Sequence, residues 1–395
     1  MSIIAALVMA AATINPSDDR ASLIRGNTAF AVDLYQRETA RQSGNIFFSP
    51  YSISTAIAMV DAGARGATAA EIEKAMRFPF SEKRLASAWA SVLKDVNQHK
   101  SGFDLLTANA LWAARGIEFR PSYLETARGE FGARIETLDF AHASRAAAER
   151  INKWVSDTTK EKIRQLIAQD MLSKDTLLVL TNAIYMKAKW SDPFPKPGTD
   201  LNGKFHAPGG DVTVPMMHAT ETFSFFKGDG LRVLELPYEG RELSMVIVLP
   251  ETNTGLAAIE KDLTPEKLEA WRAKLASARV SVTLPRFTSE MTLDLNATLA
   301  EMGIKRAFQM TGTADFSGMS AKERIAISRV IHKARVDVDE QGTEAAAATA
   351  VIAVRATAVR PTQPPEVFNA DHPFLFFIRR NGSGSVLFLG RLMKP

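Results

Sequence analysis

The side chains that most often carry catalysis or bind metals form no recognisable site in this sequence. The chain of 395 residues contains no cysteine, which excludes disulfides, thiolate metal ligands and cysteine catalysis. Its six histidines are spread along the chain without an HExxH motif or a close pair, so the spacing of a zinc site is absent. The sequence therefore predicts no metal site and no cofactor.

One serine has the spacing of a nucleophile beside a lysine. Ser91-Val-Leu-Lys94 matches the Ser-x-x-Lys motif of the serine enzymes that attack penicillins. The partner motifs Ser-Asp-Asn and Lys-Thr-Gly are absent, and the segment has a helical pattern. The chain also lacks Gly-x-Ser-x-Gly, a phosphate-binding Gly-Lys-Ser/Thr and a complete Gly-x-Gly-x-x-Gly. A serine hydrolase is therefore only a remote alternative.

A segment near the C-terminus, residues 340–360, has a composition that suits two structural states. From Ala345 to Val354 it contains no charge, proline or glycine, and its residues are small or β-branched. Alanine favours helix, whereas threonine, valine and isoleucine favour strand. In a strand, alternate residues from Thr343 onward would share one small or apolar face, over roughly 40 Å as far as Val354. An alanine-rich surface linker is the alternative interpretation.

The rest of the chain predicts a mixed α/β (α+β) fold with mainly antiparallel sheets, from the periodicity of its apolar residues. Predicted helices are Asp18–Arg41, one capped by Ser49 and begun by Pro50, one after a capping box at Thr68 and Glu71, two pieces in 145–167 and a short one opened by Thr264. Predicted strands are Phe103–Ala113, Thr176–Met186, a hairpin Leu231–Pro250, Arg279–Phe287 and a C-terminal pair around Asn381. Since no linker divides residues 18–395, we expect one domain there.

The charge and the N-terminus bear on partners and location. The net charge of +4 comes from scattered lysines and arginines, so we expect neither nucleic acid nor a membrane as a partner. Ile3 to Thr13 is an apolar run, too short to span a bilayer. It is similar to the later part of a secretory signal, although no basic residue precedes it. Residues 1–17 are thus predicted to be an apolar N-terminal tail or signal remnant, and the protein to be secreted into the extracellular space.

Five stretches in register resemble the serpins, the metastable serine protease inhibitors. They are NIFFSPYSI at 45–53, LTNAIYMKAKWSDPF at 180–194, VTLPRF at 282–287, EQGTEAAAAT at 340–349 and ADHPFLFFI at 370–378. The resemblance covers about residues 18–395. It implies the serpin fold, which is a single domain with a large central, mainly antiparallel sheet, further β-sheets, about eight or nine helices and an exposed reactive-centre loop, here about 340–364.

The resemblance also implies a function. In serpins, a serine protease attacks the exposed loop and forms an acyl-enzyme, and the cut loop then inserts as a new central strand before deacylation. The chain would therefore be a suicide-substrate inhibitor and not an enzyme, acting as a monomer in a covalent 1:1 complex. A non-inhibitory serpin with a ligand-binding or chaperone role is the alternative, and the small residues of the hinge favour inhibition.

Three groups of site residues follow from the matching motifs. The hinge of the loop comprises Glu340, Gly342, Thr343, Glu344, Ala345, Ala346, Ala347 and Ala348. The shutter, a polar cluster beneath the point where the sheet opens, comprises Ser49, Ser52, Asn182 and His332, the last as a core histidine. The breach, where the loop enters the sheet, comprises Trp190 and a salt bridge between Arg286 and Glu340.

The position of the cut bond has two candidates. The family's interval from the hinge glutamate places Ala356 before the cut and Thr357 after it. Alanine there suits the small primary pocket of an elastase-like or subtilisin-like protease, whereas a cut between Arg355 and Ala356 suits a trypsin-like pocket. Arg360 is a third position that such a pocket could accept. Inhibition of a cysteine protease, activation by glycosaminoglycans and glycosylation at Asn296-Ala-Thr stay open at this level.

Overall fold

Two large β-sheets, a small hairpin sheet and surrounding helices organise the chain in the computed structural model, which describes residues 16–97, 102–343 and 364–395. The described helices are α1 (Pro16–Arg41), α2 (Pro50–Asp61), α3 (Gly66–Ala75), α4 (Glu82–Asn97), α5 (Pro121–Gly129), α6 (Phe140–Thr158), α7 (Leu256–Lys261), α8 (Pro265–Ala273) and α9 (Asn296–Met302). The first strands are β1 (Ile46–Phe48), β2 (Phe103–Ala114), β3 (Arg134–Leu138), β4 (Leu178–Lys189), β5 (Lys204–Ala207), β6 (Gly210–Thr213), β7 (Met216–Gly228) and β8 (Leu231–Pro237). The later strands are β9 (Leu243–Pro250), β10 (Ala276–Pro285), β11 (Phe287–Asp294), β12 (Ile327–Asp339), β13 (Gly342–Thr343), β14 (Glu366–Asn369), β15 (Phe374–Arg380) and β16 (Val386–Leu392). The predicted mixed α/β class is confirmed, and none of these helices is long and apolar enough to cross a membrane.

The six-stranded sheet has the strand order β11-β12-β13-β4-β2-β3. Its strand β4 is almost entirely buried, as its near-continuous apolar sequence requires of a strand covered on both faces. β4 pairs antiparallel with β2 and parallel with β12. The centre of an otherwise mainly antiparallel sheet is therefore a parallel pair.

The eight-stranded sheet forms the second layer, in the order β1-β16-β15-β9-β8-β7-β10-β14. The two predicted hairpins, β8–β9 and β15–β16, are both present in it. Every residue of β9, β15 and β16 is buried, because these strands lie in the middle of the sheet with both faces covered. Phe47 stacks against Phe388 from the neighbouring strand at 5.3 Å between ring centroids.

Helix α2 lies between the two sheets and begins where the sequence predicts. The Ser49 side chain accepts a hydrogen bond from the Ser52 backbone N–H at 3.1 Å, and Pro50 occupies the first turn. All residues of α2 are buried. This helix can therefore bring polar side chains to the underside of the six-stranded sheet.

The predicted capping box at Thr68 and Glu71 is wrong. Helix α3 already begins at Gly66, so both residues lie inside it. The Thr68 hydroxyl accepts a hydrogen bond from the Asp315 backbone N–H at 2.9 Å, and the Glu71 carboxylate accepts from the backbone N–H of Lys305 and Arg306. These side chains cap a distant segment of the chain, which a local pattern cannot reveal.

The second helical piece predicted within 145–167 is also wrong. Helix α6 ends at Thr158, and the residues that follow are not helical as far as 167. The Asn152 Oδ1 accepts hydrogen bonds from the backbone N–H groups of Leu166 and Ile167 at 2.8 and 2.9 Å. Because the side chain of α6 satisfies these backbone groups, the segment needs no helical hydrogen bonds of its own.

Candidate functional site

The hinge enters the six-stranded sheet as the two-residue strand β13. It pairs antiparallel with both neighbours, Thr343 lying opposite Val338 of β12 and opposite Ala188 of β4. Beyond this short strand, β12 and β4 pair directly with each other in parallel. β13 therefore occupies one end of a seam between two strands, and a longer antiparallel strand would follow the same seam.

Gly342 stands where the chain approaches β4 too closely for a side chain. Its φ is +149°, and a Cβ placed there would lie 2.1 Å from the Ala188 carbonyl oxygen and 2.6 Å from the Lys189 Cα. Both contacts are with backbone atoms, which cannot move aside without disturbing β4. Only glycine therefore fits at this point of entry.

Thr343 is fully buried and contacts an aromatic pair. Its hydroxyl shares a hydrogen bond of 2.8 Å with the Tyr238 hydroxyl, and the Tyr238 ring stacks on Trp190 at 4.5 Å between centroids. Complete burial raises the pKa of Tyr238, so the phenol stays neutral and can share this bond. The structure thus adds Tyr238 to the breach. Sequence reasoning missed this residue, and its only signal was its place within the predicted hairpin Leu231–Pro250.

Trp190 is hydrogen-bonded to the residues that lead into the hinge. The Trp190 indole N–H also donates to the Asp339 carbonyl at 3.0 Å, and its backbone N–H donates to the Gln341 carbonyl at 2.9 Å. Trp190 is therefore bonded to the chain on the way into the hinge. It packs in the core and positions the hinge at the same time.

Glu340 and Arg286 are brought together at the base of the hinge. The Arg286 Nε donates to the two carboxylate oxygens of Glu340 at 2.8 and 2.9 Å, and an Nη of the same guanidinium also donates. The Thr199 hydroxyl donates to Glu340 Oε1 at 2.6 Å. Burial raises the pKa of Glu340, but these hydrogen bonds outweigh it and hold the pKa below its usual value.

Three polar residues form a row across three neighbouring strands, and two of them, His332 and Asn182, belong to the predicted shutter. Register places His332 of β12 opposite Asn182 of β4, and Asn182 opposite Asn109 of β2. The Asn182 amide donates to Asn109 Oδ1 and to the Ser52 hydroxyl of α2. Asn109, which sequence reasoning also missed, could have been noticed as a polar residue within the predicted strand Phe103–Ala113.

His332 connects this row to helix α2 as a neutral imidazole. Its Nε2 accepts a hydrogen bond from the Ser49 backbone N–H at 3.0 Å, so its proton lies on Nδ1, which donates to Asn182 Oδ1. Complete burial lowers the pKa of His332 to about 3. The Ser49 hydroxyl in turn donates to the Leu387 carbonyl of β16 at 2.6 Å, which ties the second sheet to the same cluster.

Several predicted residues lie outside the described part of the chain. These are the N-terminal run Ile3–Thr13, the hinge residues Glu344, Ala345, Ala346, Ala347 and Ala348, and the loop residues Arg355, Ala356, Thr357 and Arg360. The position of the cut bond therefore stays a prediction.

Asn296, the possible glycosylation site, lies in the described part of the chain. Its side-chain amide donates a hydrogen bond to the Ser328 carbonyl and accepts one from the Val330 backbone N–H, at 2.8 Å each. A glycan on Asn296 would disturb these two bonds.

The described residues contain no group of three or more His, Cys, Asp and Glu side chains that could hold a metal ion. Ser91 and Lys94 of the Ser-x-x-Lys motif lie on α4, where Lys94 is exposed to solvent. A lysine that activates a serine works in a desolvated pocket. The geometry of these two residues gives no support to a hydrolase.

The two-residue strand β13, the breach and the shutter thus all lie along one seam of the six-stranded sheet, between β12 and β4. A model of the family described as serpin (serine protease inhibitor) matches residues 25–395. The chain belongs to the serpin family.

Relatives from different sources share this similarity over almost the whole chain. The human leukocyte elastase inhibitor is 44% identical over 383 residues, which cover 94% of this chain and 99% of that protein. The solved structure of Serpin48, a highly specific serpin of the insect Tenebrio molitor, has a TM-score of 0.83 and 31% identity and covers 95% of this chain and 98% of its own. Human thyroxine-binding globulin complexed with its hormone has a TM-score of 0.86 and 30% identity, covering 96% of this chain and 100% of its own.

Proposed function

We propose that this protein inhibits a serine protease as a suicide substrate. The protease cuts the reactive-centre loop and forms an acyl-enzyme, and the loop then inserts between β12 and β4 before deacylation. The observation that carries this proposal is β13, which already pairs in register with both of these strands. The chemistry belongs to the target, so the chain itself is not an enzyme.

The register of β13 makes the inserted state specific. Thr343 lies opposite Val338 and Ala188, and each further residue of an antiparallel strand advances by one residue along both neighbours. Thr349 would then stand between His332 and Asn182. Counting along β12 and counting along β4 both place Thr349 at this level, because His332 and Asn182 are themselves opposite each other. A small polar side chain would thus enter the polar row of the shutter.

Insertion would also improve the pairing of the sheet. It exchanges a parallel pair of strands for two antiparallel pairs, which are slightly more stable per residue. Each added backbone hydrogen bond contributes about 0.5–1.5 kcal/mol net. The intact protein is therefore expected to be trapped kinetically in a state that is less stable than the cleaved one.

An elastase-like protease is the expected target. The relative named leukocyte elastase inhibitor is 44% identical, and the predicted cut after Ala356 suits a small primary pocket. A subtilisin-like protease has the same preference, and a trypsin-like protease would cut after Arg355. The complex is expected to be covalent, with one protease bound to one inhibitor monomer.

Incubation with elastase, subtilisin and trypsin tests the inhibitory function. If the protease is trapped, denaturing gel electrophoresis shows a band near the sum of the masses of protease and inhibitor. The mass of the released C-terminal fragment identifies the cut bond. Cleavage by all three proteases without such a band would contradict inhibition and favour a ligand-binding serpin. Secretion is a separate proposal that rests on residues 3–13, and fractionation of the producing cells tests it.

A further inference from the structure

A small acidic pocket lies at the C-terminal end of α2, away from the hinge, the breach and the shutter. Its volume is about 240 Å³, and it is bounded by the end of α2, by α3 and by the start of α4. Three carboxylates line it, those of Asp61, Glu73 and Glu82. Acidic side chains alone do not make a binding site, but Asp61 differs from ordinary surface carboxylates in its burial.

Asp61 is buried and incompletely hydrogen-bonded. The residue is only 3% exposed, and its Oδ1 has no hydrogen-bond partner among the described residues. It is also the last residue of α2, where the helix dipole already places partial negative charge. A buried carboxylate without a partner is strongly unfavourable, so a cation bound in the pocket would stabilise the ionised form of Asp61.

The one arginine that lines the pocket does not fill this role. The Arg65 Nη1 donates to the carbonyl oxygens of Ala62 at 3.1 Å and Ala64 at 2.6 Å. These bonds cap the end of α2, and the positive charge of Arg65 acts on Asp61 only through space. Burial and the negative charge of Glu73 together raise the pKa of Asp61 to about 8 despite Arg65.

The shape of the site distinguishes between classes of cation. A metal ion needs several oxygen atoms to converge at about 2–2.5 Å, and no three acidic or histidine side chains among the described residues do so. An alkylammonium group needs only acceptors at hydrogen-bond distance and an apolar wall for its methylenes. Ala64 and Ala69 supply such a wall here.

We propose that this pocket binds a primary alkylammonium group, with the Asp61 carboxylate as a hydrogen-bond acceptor and Glu73 and Glu82 supplying further negative potential. The group could belong to a free diamine or to a lysine side chain of a partner. This inference does not depend on protease inhibition.

Thermal unfolding with added ligand tests the site. Putrescine and Nα-acetyl-lysine methylamide are added to the full chain at pH 7 and constant ionic strength. At about ten times its Kd, a ligand should raise the melting temperature by on the order of 1–2 °C. Asp61→Asn should abolish this rise, whereas Glu149→Gln, on the exposed face of α6, should keep it. The probe that binds more tightly identifies the source of the ammonium group.

Proton release gives a second readout. Glu73, Glu82 and Arg65 face Asp61 from the surrounding elements, and the raised pKa means that ammonium binding at pH 7 must displace about one proton. Calorimetry in buffers of different ionisation enthalpy should detect this release at pH 7, a much smaller one at pH 9, and none in Asp61→Asn. If Asp61→Asn does not fold, Glu73→Gln should weaken binding several-fold instead.

Three results would overturn the proposal. The first is the absence of any shift with either amine. The second is equal stabilisation by butyltrimethylammonium, which has the charge but no N–H donor. The third is stabilisation by calcium chloride alone that requires Asp61, since that would assign a metal site.

Discussion

Asn182 of β4 and His332 of β12 lie directly opposite each other and are joined by a hydrogen bond from His332 Nδ1 to Asn182 Oδ1. This bond crosses the seam into which β13 has begun to enter. A loop that inserted further would have to break it. Because the imidazole is neutral, the bond joins two uncharged groups and is weaker than a charge-assisted one. The seam is therefore closed at this point by a hydrogen bond between two neutral side chains.

The hinge residue Thr343 is the first test of insertion. Thr343→Arg places a long charged side chain where the native residue is fully buried against Tyr238, so insertion should slow and the protease should escape by deacylation. The protein should then be cleaved as a substrate, with at least about a tenfold rise in the stoichiometry of inhibition. Thr222→Arg at an exposed position of β7 serves as the control, and normal complex formation by Thr343→Arg would contradict the mechanism.

The shutter row should contribute strongly to the stability of the intact protein. Asn182→Ala removes the partner of His332 Nδ1 and of Asn109 Oδ1 and leaves buried polar groups unpaired. We expect a loss of about 2–4 kcal/mol in the free energy of unfolding, measured by urea denaturation. Asn202→Ala, at an exposed site, should change it by less than about 0.5 kcal/mol. Similar stability of the two variants would mean that the row does not hold the seam.

The buried His332 should make stability depend on pH. Its pKa is lowered to about 3 in the folded protein, whereas an unfolded histidine titrates near 6.5. The unfolded state therefore binds a proton that the folded state does not. Stability is full above pH 6.5 and falls as the pH drops toward 3, by about 2 kcal/mol between pH 7 and pH 5.

His332→Gln should remove this part of the pH dependence, because the glutamine side chain does not titrate. Urea denaturation at pH 7 and pH 5 measures the difference between the variants. His142→Gln, at a residue that is 86% exposed, should keep the wild-type slope. An unchanged slope in His332→Gln would show that other groups cause the acid sensitivity.

Backbone strain follows the end of α6. Lys160 and Glu161 both have left-handed conformations, with φ of +50° and +62°, and the Glu161 N–H bonds to the Ser156 carbonyl at 2.7 Å. Glu161→Gly should relieve part of this strain and raise the free energy of unfolding by about 0.5–1 kcal/mol. Glu149→Gly inside α6 should instead lower it by about 1 kcal/mol. Destabilisation by both variants would show that Glu161 makes contacts that outweigh its strain.

The sequence by itself determined most of the elements and the family. Strands such as β4 and the β15–β16 hairpin are long apolar runs whose type is set by local composition, and Ser49 followed by Pro50 is a local signal for the start of α2. The hinge was visible as a string of small residues because a segment that must enter a packed sheet cannot carry bulk or charge. These features depend on neighbours in the chain, so they can be inferred without a structure.

Only the tertiary structure decided which distant groups meet. Tyr238 bonds Thr343 across 105 residues of sequence, Asn109 joins the shutter through strand register, and Thr68 caps a segment around Asp315 instead of its own helix. No local propensity encodes such pairs, because they depend on how strands and helices are brought together. The close approach of Gly342 to the backbone of β4 has the same origin, since Ala188 and Lys189 lie more than 150 positions earlier in the chain.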